Sequence, residues 1–207
     1  MTRTTALIAR LAGGFVAGAL VLTGCSNATD VSSAVGSAEA ARTGSESSAH
    51  NDADVTFVQG MIPHHEGALA MAQLADGRAE DPAVLDLAAR IEAAQGPEIE
   101  TMTGWLEQWG EPLPDEGMGG MDHGSDGMDM EGMSEEDMDA LDSASGAEFD
   151  RLFLEMMLGH HRGAVEMAET EIADGSNADA VQLARDIAES QTAEIEEMET
   201  LLEELGG

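Results

Sequence analysis

The sequence contains an internal repeat. Residues 54–110 and 150–206 align without a gap when the sequence is shifted by 96 positions. Identical residues recur in both copies: Phe57/Phe153, Met61/Met157, His64/His160, His65/His161, Gly67/Gly163, Met71/Met167, Gln95/Gln191, Glu98/Glu194, Met102/Met198 and Leu106/Leu202. An internal duplication is the simplest explanation, so the fold must be built from two equivalent units.

Each copy predicts two helices, the first at about residues 54–76 and 148–173. Only 3% of the residues are aromatic and 14 are methionine, which favours helices packed through aliphatic side chains over a β-sheet. Two amphipathic hairpins cannot bury their apolar faces separately, so an all-α four-helix bundle of two duplicated hairpins is predicted. The expected helix ends are a capping box of Ser145 and Glu148, N-caps at Asp81 and Asn177, and terminating glycines at Gly110 and Gly206.

The N-terminus is typical of an export signal. An apolar run at residues 11–22 is too short to span a bilayer comfortably and leads into Thr23-Gly24-Cys25. This ending resembles the bacterial lipobox, which implies cleavage before Cys25 and lipidation of its sulfur at the outer face of the cytoplasmic membrane; an ordinary secretory peptide is the alternative. The expected organisation is a signal peptide at 1–24, a flexible tether at 25–52, hairpin repeats at 53–110 and 148–207, and an acidic Met- and Gly-rich loop at 111–147.

Charge and cysteine content exclude several classes of function. The 42 acidic and 8 basic residues give a formal net charge of −34, which excludes nucleic acid as a partner on electrostatic grounds. The single cysteine, Cys25, leaves no internal disulfide and no multi-cysteine metal site. The sequence shows no nucleophile–base arrangement and no phosphate-binding loop, so a binding protein is favoured over an enzyme.

A histidine pair lies on the apolar face of the first helix in each copy. One helical stripe holds Phe57, Met61, His64, His65, Ala68, Met71 and Ala72. A lone buried histidine is more often structural, and methionine at this spacing more often fills a core. Duplication of the whole cluster favours metal binding instead, because His160 and His161 of the second hairpin can converge on the same locus.

The second helices place Glu98 and Glu194 among apolar residues. An unpaired carboxylate in that position would destabilise the fold. Three partners could offset this: an imidazolium from the facing helix, an arginine such as Arg162, or a metal ion, for which both glutamates would be ligands.

Ligand softness favours copper over iron. A di-iron bundle takes Glu from two helices and Glu-x-x-His from the other two. Here Met61 and Met157 stand three residues before His64 and His160, where that pattern needs glutamate. Thioether sulfur suits ferric iron poorly, whereas imidazole with thioether suits copper, methionine favouring Cu(I) and histidine accepting Cu(I) or Cu(II).

The acidic loop at 111–147 offers further soft ligands. It is expected to be disordered or weakly ordered and contains six methionines. Its Gly-Met-Gly-Gly-Met-Asp-His stretch presents the thioethers of Met118 and Met121 and the imidazole of His123. The alternative is an acidic linker whose methionines are incidental.

The segments at residues 59–68 and 157–164 resemble the signature of the domain-of-unknown-function family 305 (DUF305). The resemblance covers about residues 53–207 and implies a ferritin-like helical bundle. Some members, of the CopM type, are extracytoplasmic copper-binding proteins associated with copper tolerance. The resemblance implies copper ligation by six motif residues, Met61, His64, His65, Met157, His160 and His161. Further soft candidates are Met71, Met102, Met167 and Met198.

These features predict a lipid-anchored, extracytoplasmic copper-binding protein that acts in copper buffering, resistance or delivery, with a copper-trafficking protein as a candidate partner. Two alternatives stay open. One is a ferritin-like oxidase or peroxidase with a dinuclear iron or copper centre, which the missing second carboxylate pair disfavours. The other is a non-catalytic envelope interaction module whose His–Glu contacts are structural.

Overall fold

Five helices form the part of the chain that the structure describes. The computed structural model describes residues 49–114 and 134–206. The predicted signal peptide, Cys25, most of the tether and the centre of the acidic loop lie outside these residues. None of the described helices is both long and apolar enough to cross a membrane. In chain order the helices are α1 (Asp52–Leu74), α2 (Pro82–Trp109), α3 (Glu135–Ser143), α4 (Ala147–Asp174) and α5 (Ala178–Leu205).

The predicted four-helix bundle is confirmed. Helix α1 packs along α2, α4 packs along α5, and α1 and α4 pack against each other. The first half of α1 shares a core cluster with the second half of α4, and the second half of α1 shares the other cluster with the first half of α4. These two helices therefore run antiparallel. Each repeat therefore forms one hairpin, and the hairpins join through α1 and α4.

The N-caps of the second helix in each hairpin are those predicted. Asp81 caps α2 and Asn177 caps α5, each accepting hydrogen bonds from backbone N–H groups of the first turn. The predicted capping box of Ser145 and Glu148 is wrong, because the N-cap of α4 is Gly146, which has a φ of 64° and no side chain to offer. The Gly146 N–H instead donates to the carbonyl of residue 78 at 2.7 Å.

One end of the acidic loop is helical, although the whole loop was expected to be disordered or weakly ordered. Ser134 and Asp137 form a capping box in which each residue's side chain accepts the other's backbone N–H at 3.1 Å. Leu141 is fully buried in the core and Met138 packs against it. Packing against α1 and α4 thus stabilises α3, a tertiary contribution that an acidic composition does not reveal.

The core consists of two apolar clusters with a polar layer between them. The Phe149 cluster contains Ala68, Met71, Val84, Leu87, Ile91, Leu141, Phe149, Phe153, Met157, Met198 and Leu201. The Phe57 cluster contains Phe57, Val58, Met61, Ile62, Met102, Leu106, Ala164, Ala168, Ala184 and Ile187. The middle of each long helix lies between these clusters, at the level of the two histidine pairs.

Two buried aspartates join the hairpins by capping each other's turns. Asp54 of α1 accepts hydrogen bonds from the backbone N–H groups of residues 176 and 177 at 3.1 and 2.9 Å. Asp150 of α4 accepts hydrogen bonds from those of residues 80 and 81 at 3.1 and 2.9 Å. Each hairpin thus supplies the hydrogen-bond acceptor for backbone N–H groups in the turn of the other hairpin. Without its partner, either hairpin would lose these acceptors.

Replacing Asp150 with alanine should destabilise the whole bundle. The Asp150→Ala variant leaves two backbone N–H groups without their acceptor, at a cost of about 1–3 kcal/mol. The midpoint of urea unfolding should therefore fall, whereas Asp139→Ala, at an exposed position of α3, should leave it nearly unchanged. Equal midpoints for the two variants would contradict the role of the crossed caps.

The second repeat has a buried carboxyl group at a position where the first repeat has alanine. Glu171 of α4 is 1% exposed and occupies the position of Ala75 in the first repeat. Its carboxyl group lies beside Asp54 and receives no hydrogen bond from a donor in the described residues. Burial, together with the neighbouring Asp54 carboxylate, raises the pKa of Glu171 to about 8.

The Glu171→Ala variant should gain stability relative to the parent as the pH rises. A carboxyl whose pKa is higher in the folded than in the unfolded state favours folding at low pH, and this contribution is lost between about pH 4.5 and 8. The difference in urea midpoint between variant and parent should therefore be larger at pH 8 than at pH 5. The exposed Glu169→Ala control on the same helix should show no such trend.

Candidate functional site

The four histidines of the repeated motif meet in the polar layer of the bundle. His65 and His161 are fully buried, and His64 and His160 are 3% and 5% exposed. Each pair lies near the middle of α1 or α4, and these helices are antiparallel, so the duplication brings both pairs to the same level. The structure thus brings together the imidazoles that the sequence placed 96 residues apart.

His64 and His160 contact each other across the interface between the hairpins. Their ring centroids lie 3.6 Å apart, with an angle of 42° between the ring planes. This contact leaves no space for an ion between the two rings in their present orientation. An ion that used both imidazoles would have to turn them apart.

The other two imidazoles are each held by a glutamate from the second helix of the same repeat. Nε2 of His65 lies 2.8 Å from Oε2 of Glu98, and Nε2 of His161 lies 2.7 Å from Oε2 of Glu194. Of the three partners considered for the glutamates, the histidine of the facing helix is the one observed. Arg162 instead contacts Glu199 at the surface.

The glutamates fix which ring nitrogen carries the proton. An ionised carboxylate can only accept a hydrogen bond, so Nε2 of His65 and of His161 donates. In the neutral form of each ring, Nδ1 then carries the lone pair. A carboxylate that orients a histidine through one nitrogen while the other binds metal is a recurrent arrangement in metalloproteins.

All four Nδ1 atoms are buried without a hydrogen-bond partner among residues 49–114 and 134–206. Buried polar atoms of this kind are uncommon and often mark a site for a ligand, ion or water. Two amide oxygens of the same layer, on Gln95 and Gln191, are also buried without a partner there. The layer therefore concentrates unused lone pairs in the middle of the bundle.

Burial keeps the two central histidines neutral. Desolvation, followed by the charges that His65 and His161 would carry, lowers the pKa of His64 to about 3. Desolvation, followed by interactions with the other three histidines, lowers the pKa of His160 to about 2. Both imidazoles are thus unprotonated at neutral pH, the form in which a histidine binds a metal ion.

The methionines predicted as soft ligands lie at different levels of the bundle. Met61 and Met157 are fully buried one turn before His64 and His160, on opposite sides of the polar layer. The other four belong to the apolar clusters further away, where they fill the core: Met71 and Met198 in the Phe149 cluster, Met102 in the Phe57 cluster, and Met167 packed against the latter. The predicted loop ligands Met118, Met121 and His123 lie outside the described residues.

Gln95 and Gln191 belong to the polar layer but were not proposed as site residues from the sequence. Both are 3% exposed and lie one turn before Glu98 and Glu194. Their identity in the two copies, together with a position on an apolar face, was the signal that could have identified them.

The described residues contain no ready-made cluster of three or more His, Cys, Asp or Glu side chains in a metal-binding arrangement. The imidazoles and thioethers match a soft ion in chemistry, since neutral nitrogen and sulfur donors suit copper. Their present geometry does not match it without movement, since two imidazoles contact each other and two are held by glutamates. The protein is thus a four-helix bundle with a buried layer of histidines that both repeats supply.

The family model described as "Domain of unknown function (DUF305)" matches residues 54–202, and the chain therefore belongs to the DUF305 family. A DUF305 protein from Streptomyces coelicolor, described as a candidate secreted protein, is 34% identical; the match covers 75% of this chain and 94% of that one, with a TM-score of 0.65. No curated protein matches the sequence.

The chain is also similar to structures of CopM with bound copper. CopM in the Cu(II)-bound form is 35% identical, with coverage of 73% of this chain and 96% of that one and a TM-score of 0.62. CopM in the Cu(I)-bound form is 34% identical, with coverage of 74% and 98% and a TM-score of 0.61. The family expected from the repeated motif is confirmed, and the solved structures that the chain is similar to include CopM in two copper-bound forms.

Protonation of the central histidines should destabilise the fold in mild acid. Because the pKa of His64 and of His160 is lower in the folded protein than in the unfolded chain, the unfolded chain binds more protons below about pH 6.5. The free energy of unfolding should then fall by about 1 kcal/mol per pH unit for each histidine as the pH drops. Urea titrations of the metal-free protein from pH 7 to pH 5 measure this slope.

The double variant His64→Asn/His160→Asn should flatten that slope, whereas His50→Asn, at a half-buried histidine outside the layer, should keep it. An unchanged slope in the double variant would contradict the neutral, buried state of the two rings.

Proposed function

We propose that this protein binds copper through its histidine layer and serves in copper buffering, resistance or delivery outside the cytoplasm. The observation that carries the proposal is the set of four buried imidazoles whose Nδ1 atoms have no partner in the described part of the chain. The similarity to copper-bound CopM supports the choice of metal.

The electrostatics of the layer support a copper ion rather than a purely structural histidine cluster. His64 and His160 are neutral, and Glu98 and Glu194 supply negative charge at the edge of the layer, where their side chains are 21% and 14% exposed. A cation would add the positive charge that balances these carboxylates without protonation of a buried ring. Met61 and Met157 add thioethers one turn away, which favours Cu(I) over harder ions.

Copper binding requires a rearrangement of the layer. Because the rings of His64 and His160 are in contact at 3.6 Å, at least one must rotate before its Nδ1 can face an ion. Such a rotation changes side-chain torsions and leaves the helices in place, which fits a scaffold joined by two buried aspartates. The bundle then binds the ion by local movement of side chains.

The loop and the N-terminus fit the same function. Met118, Met121 and His123 would capture copper before it enters the bundle, and the high negative charge of the protein would attract cations. Lipidation of Cys25 would hold the protein at the outer face of the membrane. A copper-trafficking protein would be the donor or acceptor of the ion.

The histidine layer should account for the tight copper binding of the purified protein. We expect the His64→Asn/His160→Asn variant to bind Cu(I) at least ~10-fold more weakly, which corresponds to about 1.4 kcal/mol. Competition with a chromophoric Cu(I) chelator under anaerobic conditions gives the affinity. His50→Asn is the matched control, and a variant with Met118, Met121 and His123 replaced isolates the contribution of the loop.

A second readout uses thermal stability, because a ligand selective for the native state must stabilise it. Copper should raise the melting temperature of the parent and of the His50→Asn control, and this increase should be lost in the layer variant. Equal copper affinity and equal stabilisation in parent and layer variant would refute the proposal. A protein that copper does not stabilise at all would favour the interaction module, and oxygen consumption with iron would favour the oxidase.

A further inference from the structure

Gly163 of the second hairpin lies against the imidazole of His64 in the first hairpin. Gly163 is one turn after His160 on α4, and a Cβ atom placed on it would lie 3.3 Å from Nε2 of His64. Contacts of a real Cβ at this distance are rare, so a side chain at residue 163 would require the ring to move by a few tenths of an ångström.

The ring of His64 is closely packed. It is 3% exposed, and the ring of His160 lies at a centroid distance of 3.6 Å. A methyl group at residue 163 would press the ring toward His160 or force a rotation about its side-chain torsions. Gly163 therefore leaves free the space beside the His64 ring that a methyl group would fill.

We infer that Gly163 is a positioning residue that sets the orientation of His64 and, through it, the copper affinity of the histidine layer. The part of this inference that concerns copper affinity rests on the proposed function, whereas the part that concerns the orientation of His64 does not. Gly163 would not contact the ion; it would act by leaving room for the imidazole. Its backbone φ lies outside the left-handed region, so no conformational requirement explains a glycine at this helical position.

The chain supplies a matched control four residues away. Gly159 lies on the same helix, is exposed, and would have no heavy atom within 4 Å of an added Cβ. Both Gly159→Ala and Gly163→Ala replace a helical glycine with the residue of highest helix propensity, so both gain the same intrinsic helix stability. Only Gly163→Ala places a methyl group against His64.

The first test uses the metal-free protein and does not depend on copper binding. Long-range proton–nitrogen NMR spectra of the imidazoles should show shifted ring signals for His64 and His160 in Gly163→Ala, and unchanged signals in Gly159→Ala. Urea unfolding checks that both variants are folded. Identical imidazole spectra in the two variants would overturn the inference.

The second test measures Cu(I) affinity by chelator competition. Gly163→Ala should bind Cu(I) about ten times more weakly than the parent, and Gly159→Ala should agree with the parent within a factor of two. If the parent does not bind copper through the layer, the proposed function fails while the metal-free spectra still decide the role of Gly163. If the parent binds copper and the two alanine variants bind it equally, the inference fails while the proposed function stands. A Gly163→Ala variant that does not fold would also overturn it, since the inference requires a local effect.

Discussion

Burial of four imidazoles between two apolar clusters is the constraint on which the rest of this structure depends. Removing a histidine from water disfavours its charged form, so the layer must be either neutral or paired. His65 and His161 are paired, through Nε2, with glutamates of the neighbouring helix. The rings of His64 and His160 contact each other, and burial keeps both of them neutral. The layer thus keeps unprotonated nitrogen atoms with unused lone pairs in the interior, a costly arrangement for a purely structural core.

The duplication makes the fold and the site inseparable. Each hairpin provides one histidine pair and one glutamate, so a single repeat would contain only half of the layer. The same exchange occurs at the ends of the bundle, where Asp54 and Asp150 accept the backbone N–H groups of the opposite turn. The symmetry is not complete, because Glu171 stands where the first repeat has Ala75.

Much of this organisation follows from local patterns in the sequence. The 3.6-residue periodicity around His64 and His65 predicted their burial, and the N-caps at Asp81 and Asn177 were identified correctly. Long-range contacts were not predictable in the same way. No local pattern states that Asp54 reaches a turn more than one hundred residues away or that Leu141 attaches an acidic helix to the core. The same limit applied to Glu98, for which the sequence left a histidine, an arginine and a metal ion as alternatives.

The sequence by itself determined a duplicated helical hairpin, the face on which each histidine pair lies, and the soft character of the adjacent donors. These properties depend on residue type and on spacing within one helix. Only the tertiary structure decided that His65 and His161 bond to glutamates, that His64 contacts His160, and that Gly163 lies against His64. Those outcomes depend on the separation and relative rotation of helices from different repeats, which packing of the whole core sets and no single segment encodes.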